Sequence, residues 1–154
     1  MILLRTKLIL GRIAFWLGWP LWFLILRGSE RTRVLLVANN RVLLTRGTLS
    51  AGEWSLPGGG LHQSEQVELG ACREIYEELG IVLSADQLRD VAVEPARNSG
   101  IAYKAHFLVA ELADCIQPIL GLEVAEARWV PIAEVQNLRH DNATIRALEL
   151  LAAC

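Results

Sequence analysis

Cysteine is scarce in this chain and badly spaced for metal work. Cys72, Cys115 and Cys154 are an odd number in no Cys/His ligand pattern. That excludes a disulfide-stapled scaffold and a structural zinc site. They read as reduced thiols of a cytosolic protein, with Cys72 and Cys115 as small buried hydrophobes. A comfortable membrane span is also missing. The uncharged run Ile13 to Leu26 has 14 residues, short of the roughly 18 to 20 that cross a bilayer. Extending it back to Leu8 reaches 19 residues but takes in Arg12. The body of the chain has no basic surplus. Beyond residue 33 there are 9 basic and 16 acidic side chains, which argues against general nucleic-acid binding. Repeats and low-complexity tracts are absent as well.

What is present divides at about residue 28. Residues 1 to 33 carry Arg5, Lys7, Arg12, Arg27, Arg31 and Arg33 against Glu30 alone. Trp16, Trp19 and Trp22, three of the five tryptophans, fall in the apolar run. Pro20 would kink a helix there. No small-x-small cleavage site follows the run, only Arg27-Gly28-Ser29-Glu30-Arg31, so it does not read as a secretory signal. Aromatics between basic flanks suit a helix lying at the inner face of an anionic membrane. A helix covering the domain, a dimer contact and a true span are the other readings of residues 1–28.

Residues 29–154 are enough for one domain, and a 53% hydrophobic fraction supplies its core. Val34 to Ala38 reads as a buried strand. Asn39-Asn40 is a tight turn, since Asn tolerates positive φ, and Arg41 to Thr45 is the returning strand. Gly47 to Glu53 is a loop, and Trp54 to Leu56 a short strand leading into Pro57-Gly58-Gly59-Gly60. Glu65 to Leu79 reads as a helix whose core side gathers Ala71, Cys72, Ile75, Tyr76 and Leu79, with Gly80 as its stop. Leu88 to Pro95, Ala102 to Leu112 and Glu126 to Val130 read as strands. Thr144 to Ala153 reads as a terminal helix.

The predicted helix at 65–79 carries the chemistry. Glu74, Glu77 and Glu78 fall within one narrow arc of it. Like charges at that spacing repel by a few tenths of a kcal/mol, so the cluster calls for a counter-charge. A hard divalent cation is the natural one. The alternative is a solvated charged face.

The segment from Gly59 to Ile81 resembles the signature of the Nudix hydrolases, G-x5-E-x7-R-E-U-x-E-E-x-G-U with U aliphatic. Gly59, Glu65, Arg73, Glu74, Ile75, Glu77, Glu78, Gly80 and Ile81 fill all nine specified positions. The box covers 23 of the 154 residues. The lead-in Trp54 to Gly58 and the later Trp129-Val130-Pro131 are also similar to the family. Ser64 departs from it, since Gly more often stands before that glutamate.

The resemblance implies an α+β fold: a Nudix-type α/β/α sandwich with a mixed sheet, here preceded by a hydrophobic N-terminal helix. It implies that the Gly59 carbonyl, Glu74 and Glu78 hold a metal ion and that Glu77 holds a second, directly or through water. Arg73 would pair with a box carboxylate, and Glu65 would point back into the site, so Glu77, Arg73 and Glu65 form the expected catalytic set. Gly58, Gly60 and Arg46 are candidate substrate contacts. Oxygen ligation suits Mg²⁺ or Mn²⁺. The implied reaction is water attack on a diphosphate of a small nucleoside diphosphate derivative, with no nucleic-acid partner.

Several assignments stay open. The general base is a box glutamate or a later acid, with Glu94, Glu123 and Glu126 as candidates. His62 reads as an exposed loop histidine. Trp54, Tyr103 and Trp129 read as core aromatics that could stack on a base. Rival functions are a binding module without turnover, an isomerase of diphosphate esters that needs a catalytic Cys or acid in the pocket, and an anchored interaction protein. Monomer or homodimer is not decided by the sequence.

Overall fold

The computed structural model describes residues 30–48, 50, 52–98 and 101–153. The expected N-terminal helix, its membrane or dimer role, and Cys154 lie outside the described residues. Among those described, no helix is long and apolar enough to cross a membrane.

Five strands form one sheet: β1 (Glu30–Ala38), β2 (Arg41–Gly47), β3 (Arg89–Asn98), β4 (Ile101–Glu111) and β5 (Val124–Pro131). Their spatial order is β3-β4-β1-β2-β5. β1 runs parallel to β4, and the other neighbours are antiparallel, so the sheet is mixed, as expected. Asn39 and Asn40 turn β1 into β2 with φ of 48° and 57°. Two successive positive φ values match the right-handed twist of a hairpin.

β1 is covered on both faces. Val34, Leu35 and Leu36 are fully buried, each worth about 1.5–3 kcal/mol of transfer free energy. Because side chains alternate across a strand, the two faces build two cores. Val34, Leu36, Leu43 and Leu108 pack with Ala71, Ile75 and Leu79 of helix α1 (Val67–Leu79). Leu35, Val42, Leu44, Tyr103 and Phe107 pack with Trp54, Val135, Ala143 and Ala147. The last two belong to helix α2 (Asn142–Ala152), capped by the Asp141 side chain on the Thr144 N–H. Helices on both faces of a mixed sheet make the expected sandwich.

Three expectations are corrected. Glu65 lies outside α1, which starts at Val67 after the N-cap Gln66. Tyr76 is exposed rather than part of the core face. Trp54-Ser55 makes only isolated bridges, Thr45 with Ser55 and Trp54 with His140.

Candidate active site

The glycine turn lies along the start of β1. The Thr32 N–H donates to the Gly59 carbonyl at 2.8 Å, and the Leu61 N–H to the Glu30 carbonyl at 3.0 Å. Gly58 has φ +126°, and a Cβ there would stand 2.6 Å from the Thr32 carbonyl oxygen. At Gly59 a Cβ would run into the Glu74 carboxylate. Only glycine leaves space for the turn to sit between β1 and α1. Ser64 adopts φ 62°, the left-handed conformation that glycine takes without steric cost. The one departure from the family pattern therefore falls where glycine would relax the loop.

Arg73 ties the carboxylates together. Its Nε donates to Glu65 Oε1 and its Nη2 to Glu65 Oε2, both at 2.9 Å, a bidentate fork. Nη1 donates to Glu74 Oε1 at 2.9 Å and to Glu77 Oε2 at 3.2 Å, and Nη2 also reaches the Gly60 carbonyl at 3.0 Å. Glu65 accepts further from the His62 N–H at 2.8 Å. The Arg73 fork and that N–H bond hold the Glu65 carboxyl down at about 2, so it is permanently ionised. Its place beside the helix start, rather than within it, is what lets it fold back over Arg73.

Glu78 has the opposite surroundings. It accepts from the Gly58 N–H at 3.0 Å. Burial nevertheless pushes its carboxyl up to about 7, with the charges of Glu74 and Glu123 adding to the rise. The nearby Arg33 charge opposes the rise without cancelling it, so a further cation at Glu78 would favour its ionised form.

Gly59, Glu74, Glu77 and Glu78 are thus gathered where the turn meets α1. The Gly59 carbonyl accepts from the Thr32 N–H at 2.8 Å and from the Thr32 hydroxyl at 3.5 Å. Among the described residues, no three acidic, His or Cys side chains stand close enough to enclose an ion as they are. The donors still fit a hard divalent ion in kind: they are all oxygens, and Glu78 needs positive charge. An ion that keeps several waters does not require a closed cage of protein ligands.

The other candidates separate. Arg46 donates to Glu126 at 3.1 Å and lies over the Trp54 ring at 4.4 Å. Glu94 pairs with Arg146 at 2.7 Å. Glu123 alone of the later acids acts on Glu78, because Gly121 packs against the backbone of Glu77 and Glu78. His62 is exposed. Trp129 is half-buried and donates to the Ile116 carbonyl at 2.8 Å. Cys72 and Cys115 are free thiols, half-buried rather than fully buried. Burial raises the Cys72 pKa, which leaves that thiol unreactive.

Sequence reasoning missed the residues behind the turn. Arg33 is buried at 5% exposure. Its Nη1 donates to the Gly58 carbonyl at 3.2 Å, and its Nε and Nη2 donate to the Tyr103 hydroxyl at 3.4 and 3.3 Å. Arg31 lies over the same ring at 5.9 Å. Arginines two apart on a strand share a face. That spacing was the available signal, but the two were read only as part of a basic head.

The NUDIX domain family model matches residues 28–151 of this chain. The chain belongs to the Nudix family. It is 30% identical over 107 residues to Nudix hydrolase 8 of Arabidopsis thaliana, covering 66% of this chain and 28% of that protein. It is 31% identical over 105 residues to a MutT-like protein of Streptomyces ambofaciens, covering 65% and 62%. The chain thus spans less than two thirds of the length of these curated relatives. Among solved structures it is similar to a MutT NUDIX hydrolase from Burkholderia pseudomallei, with a TM-score of 0.68 and 27% identity over 80% of this chain and 98% of that one. The Nudix box is the segment that carries Arg73 and its carboxylates.

Proposed function

We propose that this Nudix chain hydrolyses a diphosphate bond in a nucleoside diphosphate linked to a second group. The observation that carries the reading is the Arg73 hub: one guanidinium fixes Glu65, Glu74 and Glu77 beside the glycine turn, with Glu78 half-buried next to them. A surface ion-pair cluster would need neither the glycines nor a carboxylate raised toward neutrality.

Glu74, Glu78 and the Gly59 carbonyl would hold Mg²⁺ or Mn²⁺, with Glu77 at a second ion. A bound ion supplies charge neutralisation of the diphosphate and lowers the pKa of water. The chain's own part is positioning. Glu65 does not touch the substrate but holds Arg73. Arg73 then aims Glu74 and Glu77. Glu77 spends only Oε2 on Arg73 and presents its other oxygen to solvent, where it can take the proton of the attacking water. Residues 1–28 would hold the domain against anionic lipid, and removing them should abolish pelleting with anionic vesicles while leaving hydrolysis intact.

The test is a panel of ADP-ribose, nucleotide sugars, NADH and canonical and oxidised nucleoside triphosphates. With Mg²⁺ or Mn²⁺, at least one should be split into two phosphorylated products, and EDTA should stop the reaction. Silence across the panel with both metals would reject hydrolysis in favour of a binding role.

A further inference from the structure

Behind the glycine turn stand two guanidiniums and no carboxylate partner for either among the described residues. Arg31 and Arg33 point to one face of β1 and share one aromatic ring, at 5.9 and 5.4 Å from the Tyr103 centroid. Arg33 is satisfied: Gly58 and Tyr103 take its donors. Arg31 is not. Its Nε is buried and has no hydrogen-bond partner among the described residues. A buried, unpaired guanidinium N–H beside a like charge is costly. It persists where something binds to it.

Its position says what that is. The Arg31 backbone bridges Gly60, so the side chain is anchored at the turn that carries the box. The fields of Glu74 and Glu78 reach it, while burial and the charge of Arg33 disfavour its own charged state. An anion at Arg31 would relieve both of the unfavourable effects. The planar fork of a guanidinium matches phosphate oxygens.

We propose that Arg31, seated with Arg33 on Tyr103, is the receptor for a phosphate group of the substrate on the side of the glycine turn away from the box glutamates. This rests on the hydrolase reading for the identity of the ligand, and it deepens that reading. A diphosphate held from both sides has its bridging oxygen fixed between the carboxylate cluster and Arg31. Arg31 is a binding residue that lowers KM, and it takes no part in proton transfer.

The experiment uses the full chain in EDTA with inorganic pyrophosphate as probe, measured by calorimetry and by thermal shift. Wild type should bind pyrophosphate and gain thermal stability from it. Arg31→Gln should bind about tenfold more weakly or worse and gain little. Arg31→Lys should fall between the two, and Arg128→Gln, an exposed arginine on β5, should match wild type. Without the anion, Arg31→Gln should lose little stability, because it removes a half-buried guanidinium whose Nε has no partner among the described residues. On a substrate found in the panel, Arg31→Gln should raise KM by about tenfold with little change in kcat. Pyrophosphate binding that is absent in wild type, or unchanged in Arg31→Gln, overturns the proposal. Hydrolysis that fails while Arg31-dependent binding holds rejects only the enzymatic reading.

Discussion

Two arginine stations flank the same three glycines, and they are built on opposite logic. Arg73, on α1, spends every N–H on the chain itself, across Glu65, Glu74, Glu77 and the Gly60 carbonyl. Arg31 and Arg33, on β1, face an aromatic ring and a carbonyl, with no ion pair among the described residues. The first station is a closed tie that fixes anions in place. The second leaves one guanidinium open. One residue type thus serves as a brace or as a receptor, depending on whether carboxylates surround it. The helix supplies carboxylates at i+1 and i+4 from Arg73. A strand projects its immediate neighbours to the far side, so Arg31 and Arg33 lie side by side over the Tyr103 that the next strand brings.

The largest expected effect comes from the carboxylate side. Glu78→Gln keeps the shape and removes the charge, and turnover should fall about 10²-fold or more. Glu68→Gln, in the first turn of α1, should leave turnover near wild type. Normal turnover by Glu78→Gln in a steady-state assay would remove the carboxylate cluster from the chemistry.

Next comes the brace itself. Arg73→Lys keeps one positive charge but loses the fork that reaches Glu65, Glu74 and Glu77 together. Turnover should drop roughly 10- to 100-fold, as when the residue orienting a ligand is lost. The melting temperature should change little. Unchanged kinetics would make Arg73 an ordinary surface cation.

A smaller effect, on stability rather than rate, tests the strand station. Tyr103→Phe removes the acceptor that takes two of the Arg33 donors. Leaving them unpaired in a buried site should cost about 1–3 kcal/mol in a denaturation experiment. A neutral result would mean that water replaces the hydroxyl.

A further effect is a pH dependence of the metal-free protein. Glu78 titrates at about 7 in the fold, against an ordinary value of 4.5. A raised carboxyl pKa contributes stability that is fully present below 4.5 and is lost as the pH rises through 7. Glu65, held down at about 2, contributes with the opposite sign. Its stability is present above 4.5 and lost as the pH falls toward 2. In EDTA, melting temperatures should therefore decline between pH 5 and pH 8, and Glu78→Gln should flatten that decline. Added Mg²⁺ should restore stability at pH 8 in wild type alone. An equal decline in the variant would assign the titration to another group.

The hairpin turn at Asn39-Asn40 and the arc of Glu74, Glu77 and Glu78 were legible from local pattern, whereas the sandwich was implied by the family resemblance of the box. Alternation, paired asparagines and helical spacing are short-range features, and each is written within a few residues. The box was legible because its nine positions lie within 23 residues. Tyr76 misled because its spacing on α1 resembles that of Ile75 and Leu79, yet its ring is exposed. Arg46 and Glu94 each have an ion-pair partner far along the chain, Glu126 and Arg146 respectively, which no local spacing reveals.

By itself, then, the sequence determined the identity of the carboxylate helix, the need for glycine before it and the family to which the chain belongs. All three follow from the spacing of residues that are neighbours in the chain. Only the tertiary structure decided which charges are braced and which are open. Arg33 finds Tyr103 across 70 residues, Glu78 meets Gly58 across 20, and Glu123 arrives on a loop that packs over the end of α1. Burial and Coulomb energy depend on distances in space, and the long-range pairing of β1 with β4 sets those distances.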